Sequence, residues 1–466
     1  MSMSRRSMLL AGAVTGAGLV ACGKSADSGS AASSGSVPPS DPRSVATDAY
    51  IYGFPLVLMD VTLRTNTAAV AANRMAAIGA VNPRLTAVVM PNIDTLYATA
   101  WLDLGAEPVV LQVPAMDGDR YWIMQLLDAW TNTTHSPSSV APQLPPGQDP
   151  PYGYVITGPN WSGALPDNLT RLAMPTDTAW LIGRIELRNQ ADLATAQSLQ
   201  QQVQLAPLSA WLRGERPTPV INPDMSTPIS PPQQVARMDG RTFFDRLCAL
   251  MLTNPPAPAD APALQRFSKI GIRPGGTIYG TSVADLDAAV AAGQMRIPDY
   301  ANPKARRENG WGFATNLGTY GTDYSLRAST AWTALGANLP KDAVYPEISA
   351  NAGEQDAPHS YRLHFPPGET PPARAFWSLT AYTAERYLVP NPAGIYAIGH
   401  QRPVVPLPDG SVELAIQAAD PGSDVPYGNW LPIPETGTFR LALRLYVPEE
   451  RALDGRWQPP SLNRVG

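Results

Sequence analysis

The sequence predicts a multidomain α+β protein that is mainly β. We expect an N-terminal helical part, an antiparallel β-barrel-like domain, a helical insertion and a C-terminal jelly-roll-like β-sandwich. The chain has 466 residues, which is enough for two or three domains. Its 50 prolines and 37 glycines indicate frequent turns, as in β-rich proteins. Short apolar runs of period two form two blocks, and helical patterns precede and separate these blocks.

The changes in pattern divide the chain into six segments. These are a signal peptide at 1–22, a flexible Gly/Ser tether at 23–40, N-terminal helices at 41–85, the β-barrel-like domain at 86–190, a helical region at 191–309 and the sandwich at 310–466. Asp41 is suited to cap the first helix, and Pro42 suits its first turn. We expect Pro55 to kink or end that helix, because proline removes a backbone donor.

The first 22 residues combine two export signals. Residues 4–10 (SRRSMLL) resemble a twin-arginine signal, and the apolar run that follows is too short to span a membrane. Residues 19–23 (LVACG) resemble a bacterial lipobox, whose cysteine becomes the lipidated residue. We expect export with Cys22 as a lipid anchor, at the outer membrane facing the periplasm because Gly23 rather than aspartate follows it. The alternatives are an ordinary secretory leader with a chance cysteine and a cytoplasmic protein with an apolar N-terminus.

Replacing Cys22 with alanine is expected to move the protein from the membrane fraction to the soluble periplasm. Acyl chains contribute roughly 0.8 kcal/mol per buried CH₂, so their loss removes the anchor. Fractionation of cells followed by immunodetection measures the change. Cys248→Ala is the control, because Cys248 lies in an apolar helical pattern typical of a buried structural thiol. A Cys22→Ala protein that stays in the membrane would show that the anchor lies elsewhere.

Composition argues against several functional classes. The net charge is −5 and no basic block follows the signal, which disfavours nucleic-acid binding. With Cys22 lipidated, one cysteine remains, so neither a disulfide nor a cysteine-based metal site is expected. The four histidines lack ligand spacing, and we predict no metal. The sequence lacks a Gly-x-Ser-x-Gly elbow, a Walker motif and a dinucleotide-binding glycine motif after a strand, so no cofactor is predicted.

Motifs in both halves of the chain resemble a known pair of families. Three of them resemble the family catalogued as domain of unknown function 1254: 49–55 (AYIYGFP), 91–97 (PNIDTLY) and 126–132 (LLDAWTN). Four resemble its usual companion, domain of unknown function 1214: 318–324 (GTYGTDY), 376–380 (FWSLT), 390–392 (PNP) and 429–432 (NWLP). The resemblance covers essentially all of 45–466. It implies the helical, barrel-like and jelly-roll parts given above, and it implies little about function and no catalytic residue.

The densest polar cluster is the loop 91–97, at the entrance to a predicted strand. It brings an amide, a carboxylate, a hydroxyl and a phenol within seven residues, and such loops on rigid sheets commonly carry sites. We interpret Asp94 as an acid/base or nucleophile in a surface cleft and Tyr97 as its catalytic partner, with Asn92 and Thr95 binding substrate. The alternative is an Asx-type turn in which Asn92 and Asp94 cap local N–H groups.

The second cluster is 320–327 (YGTDYSLR), at a predicted helix start. Asp323 is suited to be the N-cap, and Arg327 follows one turn later. One interpretation is a cap with a local ion pair. The other makes Arg327 the anchor of a substrate carboxylate, with Tyr320 and Asp323 also binding substrate. Because sites commonly form where domains meet, we expect Asp94 and Arg327 to face one pocket between the β domains.

Three further residues are candidates with structural alternatives. Trp377 and Trp430 are candidate substrate-binding aromatics, although most aromatics of β proteins belong to the core. Trp430 lies in a loop bounded by glycine and proline. His364 is a candidate general base, or else a hydrogen-bonded core histidine.

These patterns predict an exported, lipid-anchored envelope protein. The favoured hypothesis is a hydrolase-type enzyme, without a serine triad or nucleotide cofactor, that acts on a small organic or glycosidic molecule. The alternative is a non-catalytic ligand-binding or envelope-structural lipoprotein. The expected partners are a small molecule and the membrane through the N-terminal lipid, with no nucleic acid; a homo-oligomer is an open alternative.

Overall fold

A computed structural model of the protein describes residues 41–79 and 90–465. The predicted signal peptide, Cys22 and the tether lie outside the described residues. Within these ranges, no helix has both the length and the apolar character that crossing a membrane requires.

The described part of the chain contains nine α-helices. They are α1 (Pro42–Thr67), α2 (Leu193–Gln201), α3 (Leu208–Leu212), α4 (Pro231–Ala236), α5 (Gly240–Thr253), α6 (Ala261–Phe267), α7 (Val283–Arg296), α8 (Tyr324–Ala334) and α9 (Glu450–Asp454). A helical core forms where α1 packs against α4, α5, α6, α7 and α8.

The helix α1 continues through Pro55, so the expected kink or end at that residue is wrong. Sixteen of its residues are buried, Pro55 among them, and Tyr50 stacks on Phe243 of α5 with ring centroids 4.3 Å apart. Burial of nearly every turn among the other helices outweighs the one backbone hydrogen bond that proline removes.

The N-terminal β part is built from ten strands, among the described residues. They are β1 (Ala76–Ile78), β2 (Thr95–Asp103), β3 (Val109–Val113), β4 (Trp122–Asp128), β5 (Thr133–His135), β6 (Tyr152–Thr157), β7 (Thr170–Ala173), β8 (Thr178–Glu186), β9 (Gln204–Pro207) and β10 (Val220–Ile221). They form a six-stranded sheet in the order β10-β1-β2-β8-β4-β5 and a four-stranded sheet in the order β7-β6-β3-β9.

These two sheets enclose one apolar core and remain open, so this part is not a closed barrel within the described residues. The predicted boundaries also shift. The region 41–85 contributes the strand β1 as well as a helix, and the region 191–309 contributes β9 and β10 to the two sheets. Pairing with distant strands overrides the local helical context of these short segments.

The C-terminal part contains thirteen strands in the described chain. They are β11 (Ala305–Glu308), β12 (Trp311–Ala314), β13 (Ala343–Val344), β14 (Glu347–Asn351), β15 (Gly353–Glu354), β16 (Ala357–Pro358), β17 (Ser360–Phe365), β18 (Ala373–Thr383), β19 (Ala397–Ile398), β20 (Val412–Ile416), β21 (Trp430–Leu431), β22 (Thr438–Pro448) and β23 (Asn463–Val465).

A seven-stranded sheet, β11-β12-β14-β22-β18-β19 with β13 beside β22, covers a four-stranded sheet, β21-β20-β17-β23. Apolar side chains of both sheets form the core between them. The multidomain α+β, mainly β class predicted from the sequence is confirmed.

Candidate functional site: a polar chamber between the two β parts

The strand β22 presents a polar face away from the sandwich core. Its leucines at 441, 443 and 445 enter that core. Because strand side chains alternate, Arg440, Arg444 and Tyr446 lie on the opposite face, toward the N-terminal β part. In the neighbouring strand β18, Ser378 pairs with Arg444 on this same face.

The six-stranded sheet presents a corresponding polar face. Tyr97 of β2 lies directly opposite Arg184 of β8 in the sheet register. The Arg184 guanidinium carbon is 5.4 Å from the centroid of the Tyr97 ring, and its Nη1 donates to Gln125 Oε1 of β4 at 2.9 Å. Two sheets with apolar cores behind them therefore turn polar side chains toward one another.

A small polar chamber of about 30 Å³ lies between these faces. Its polar walls include Asn92, Tyr97, Arg184, Tyr345, Arg444 and Tyr446. It adjoins a cleft of about 550 Å³ bounded by α8, the β11–β12 hairpin and β14. The chamber and the cleft share Ala334, Asn338, Tyr345 and Glu347 as walls, so the two spaces are adjacent.

Asn92 joins the two β parts at the chamber. Its Oδ1 accepts from the backbone N–H of Asp94 at 2.9 Å, which is the Asx turn considered in the sequence. Its Nδ2 donates to Thr95 Oγ1 at 2.9 Å, to the Tyr446 hydroxyl at 2.9 Å and to the Tyr97 hydroxyl at 3.4 Å. Asn92 therefore forms the turn and is also a wall of the chamber, and the structure brings together Asn92, Thr95 and Tyr97 of the predicted site.

Two buried arginines and one carboxylate, Glu347, are the charged walls of the chamber. Arg184 is 4% exposed and Arg444 is 6% exposed. Arg444 donates to the Tyr382 hydroxyl at 2.6 Å and to Thr380 Oγ1 at 2.9 Å. Within the described chain, neither guanidinium forms an ion pair with a carboxylate. Burial of a cation without a paired anion is unfavourable, and a bound anion relieves that cost.

The phenols of the chamber supply neutral donors. Burial raises the pKa of Tyr446 well above its ordinary value, and burial likewise raises the pKa of Tyr345. Both groups therefore stay protonated at neutral pH. Tyr345 donates to Asn338 Oδ1 at 3.0 Å. Tyr446 accepts from Asn92 and is also hydrogen-bonded to Tyr345, so the two phenols form one network at the chamber.

Asp94 is fully buried behind the chamber and is not one of its walls. Its Oδ2 accepts from Ser378 Oγ at 2.6 Å, across the domain junction. It also interacts electrostatically with Arg444 and Tyr446. The expectation of a surface-cleft carboxylate is wrong, because the loop turns the side chain into the junction of the two sheets. Its position fits a counter-charge that holds Arg444.

Arg327 lies in a separate environment, so the prediction that it shares a pocket with Asp94 is wrong. It is 2% exposed, and its guanidinium carbon is 5.1 Å, 4.9 Å and 5.2 Å from the ring centroids of Tyr52, Trp130 and Tyr324. Its Nη2 donates to the backbone oxygen of Tyr52 at 3.1 Å. The helical rotation of α8 turns Arg327 toward α1, and other residues of α8 face the cleft.

The rest of the second cluster is placed by local structure. Asp323 caps α8 and accepts from the Leu326 N–H at 2.9 Å, which is the capping alternative. Tyr320 is buried, and its N–H donates to Asn132 Oδ1 at 3.3 Å. Neither residue is a wall of the chamber.

Asp128 is a buried carboxylate near Arg327, and burial raises its pKa to about 6. Its Oδ1 accepts from the N–H groups of Trp130 at 2.9 Å and Asn132 at 2.8 Å. In an unfolded chain the pKa of aspartate is about 3.9, so the native state retains this proton at a pH where the unfolded chain has lost it.

The free energy of unfolding is therefore expected to fall as the pH rises from 4 to 6, because the unfolded chain loses the Asp128 proton at a lower pH than the native state does. The difference between the two pKa values of Asp128 corresponds to about 3 kcal/mol of unfolding free energy. Asparagine does not titrate, so the Asp128→Asn variant should not show this pH-dependent loss. The measurement is urea unfolding of both proteins from pH 4 to pH 7. The stability of the variant relative to wild type should rise over this window, whereas the difference for the fully exposed Asp119→Asn control should stay constant. A constant difference for Asp128→Asn would contradict the assignment.

The remaining candidates lie away from the chamber. His364 is exposed on the outer face of β17, with Nδ1 3.9 Å from Glu413, so the core-histidine interpretation is wrong. Trp377 packs against Phe365 with ring centroids 5.9 Å apart. Trp430 donates from Nε1 to the backbone oxygen of Gln417 at 2.8 Å. Both tryptophans pack on the sandwich core, as their structural alternative expects.

Six polar walls of the chamber are not among the residues predicted from the sequence: Arg184, Asn338, Tyr345, Glu347, Arg444 and Tyr446. A signal was present in β22, where 440–446 (RLALRLY) alternates polar and apolar residues and places two arginines on one face. A charged residue in the middle of a long, otherwise apolar strand indicates a buried charge that requires polar partners.

Comparisons with known proteins concern the family and the fold. Residues 72–207 match the model described as protein of unknown function (DUF1254), and residues 342–450 match protein of unknown function (DUF1214). No curated protein matches the chain.

Two solved structures are similar. The VPA0106 protein from Vibrio parahaemolyticus shares 23% identity, with a TM-score of 0.67 over 91% of this chain and 100% of that chain. A putative uncharacterized protein from Burkholderia cenocepacia shares 16% identity, with a TM-score of 0.45 over 92% of this chain and 90% of that chain. The first shows the same fold. With both family models matched in order, the chain belongs to the two-domain family that combines DUF1254 and DUF1214.

Proposed function

We propose that the protein is an exported, lipid-anchored envelope protein that binds a small organic anion in the chamber between its β parts. The observation that carries the binding proposal is the pair of buried guanidiniums, Arg184 and Arg444, which face one chamber with no carboxylate of the described residues at ion-pair distance. Charge-assisted hydrogen bonds from arginine favour carboxylate and phosphate oxygens.

The dimensions support a ligand with an acidic head and a larger body. A space of about 30 Å³ holds roughly two water-sized groups, such as the oxygens of a carboxylate. The adjoining cleft of about 550 Å³ is in the size range of small-molecule sites. The head would lie in the chamber and the body in the cleft.

The envelope part of the proposal rests on the N-terminal signals. The twin-arginine-like run at 4–10 and the lipobox-like run at 19–23 occur in the order that export and lipidation require. The Cys22→Ala fractionation described above tests this part separately from ligand binding.

Hydrolysis is the second candidate function. Buried N–H and O–H donors around a chamber are suited to stabilise an oxyanion, which favours it. Tyr97 and Tyr446 would contact the substrate. Asp94 would act through Tyr446 and Arg444, because it is not a wall of the chamber.

The binding proposal is tested by thermal unfolding and calorimetric titration with small acids. Acetate, benzoate and hexanoate would be compared with acetamide, benzamide and hexanamide at constant ionic strength. Ligands that bind the native state raise the melting temperature, so the acids should do so and the amides should not. The proposal would be overturned if an acid and its amide raised the melting temperature equally, or if no acid raised it at all. Release of acid from benzoate esters, absent in Tyr446→Phe, would support hydrolysis.

A further inference from the structure

A second group of arginines lies at the cleft that adjoins the chamber. Arg440 and Arg444 share one face of β22, and Arg440 is a wall of the cleft whereas Arg444 is a wall of the chamber. Four residues of an antiparallel strand span about 14 Å at roughly 3.4 Å per residue. The same strand therefore presents two separate guanidiniums to two adjacent spaces.

Positive charge is in excess at the Arg440 end of the cleft. Arg440 and Arg386 interact repulsively, and Glu347 is the carboxylate that offsets them. Arg440 Nη1 donates to Ser349 Oγ at 3.2 Å, and its Nε is buried. Arg307 of β11 is exposed and also borders the cleft. Among the described residues, Arg307 and Arg440 are walls of the cleft at this end together with the carboxylate of Glu347, and Arg386 acts on Arg440 from outside the walls.

The other walls of the cleft suit a partly apolar linker. Phe313 of β12 and Ile348 of β14 contribute apolar surface, and Thr330 and Thr333 of α8 contribute hydroxyls. Arg306, the other arginine of the cleft, is paired with Glu308 at 3.0 Å and adds little net charge.

We infer that the ligand is an organic dianion. One acidic group would lie between Arg184 and Arg444 in the chamber, and the second would lie at Arg440. The strand spacing of about 14 Å sets the scale of the separation between the two acidic groups. This inference rests on the proposed anion-binding function and specifies its ligand class, of which a linear α,ω-dicarboxylate is the simplest example.

Calorimetric titration with matched acids tests the inference. Suberate, azelate and sebacate would be compared with octanoate, nonanoate and decanoate at constant ionic strength. We expect wild type to bind the best dicarboxylate about tenfold more tightly than its monocarboxylate, as one charge-assisted contact provides. Arg440→Gln should lose this preference and keep monocarboxylate affinity, whereas Arg440→Lys should retain part of it. Arg213→Gln is the control, since Arg213 pairs with Glu215 at the surface.

The outcomes separate the two proposals. If monocarboxylates and dicarboxylates bind wild type equally well, the dianion inference is wrong and the anion-binding proposal stands. A preference for dicarboxylates that persists in Arg440→Gln would also overturn the assignment of the second group to Arg440. If no acid of either series binds, the proposed function fails and the inference fails with it.

Discussion

Replacing Asp94 with alanine is expected to lower the free energy of unfolding by about 1–3 kcal/mol, the usual cost of leaving a buried hydrogen-bonding group without its partner. Asp94 is fully buried, and its carboxylate is the acceptor for Ser378 of the other β part. Its charge stabilises Arg444, which is buried on the same side of the junction. Alanine would leave that guanidinium without its counter-charge and the Ser378 hydroxyl without its acceptor.

Urea unfolding of wild type and variant measures this effect. Asp94→Asn should lose less stability, because the amide oxygen still accepts from Ser378 while the charge is absent. Asp119→Ala is the matched control: Asp119 is fully exposed, and we expect a change within about 0.5 kcal/mol. An Asp94→Ala protein as stable as wild type would show that Arg444 does not depend on this carboxylate.

Replacing Arg184 with methionine is expected to abolish anion binding without loss of stability. A buried guanidinium without an ion-paired carboxylate contributes little to folding, and an apolar side chain of similar length often fits such a site equally well. Binding, by contrast, should weaken about a hundredfold, since hydrogen bonds to charged groups contribute roughly 1.5–3 kcal/mol each. The substitution is therefore expected to change ligand binding and to leave stability unchanged.

Titration with benzoate and urea unfolding of the same preparations would measure the two quantities. Arg188→Met is the control, because Arg188 is partly exposed near the end of β8 and pairs with Asp119 at 2.8 Å. Benzoate affinity should be unchanged in that variant. Wild-type affinity in Arg184→Met would exclude the chamber as the binding site, and a large loss of stability would show that Arg184 has a structural role through Gln125.

The sequence by itself determined the family and the mainly β class, and it singled out the loop 91–97 as a dense polar cluster. Each of these features has a signal within a short stretch of sequence, namely a strand of period two, a group of turn residues or a short motif. The same local logic identified Asn92 and Tyr97, which are walls of the chamber, and Asp323, which caps its helix. Each of these depends mainly on its immediate neighbours in the chain.

Only the tertiary structure decided which polar faces meet. Periodicity gives the face of a strand on which a residue lies, but it does not give the partner of that face. Arg184 and Arg444 come from different parts of the chain and reach one chamber because two sheets with separate cores turn their remaining faces together. Asp94 and Arg327 show the converse. Both belong to dense polar clusters, yet packing buries one at the sheet junction and the other among the aromatic rings near α1, because burial is set by contacts between distant segments.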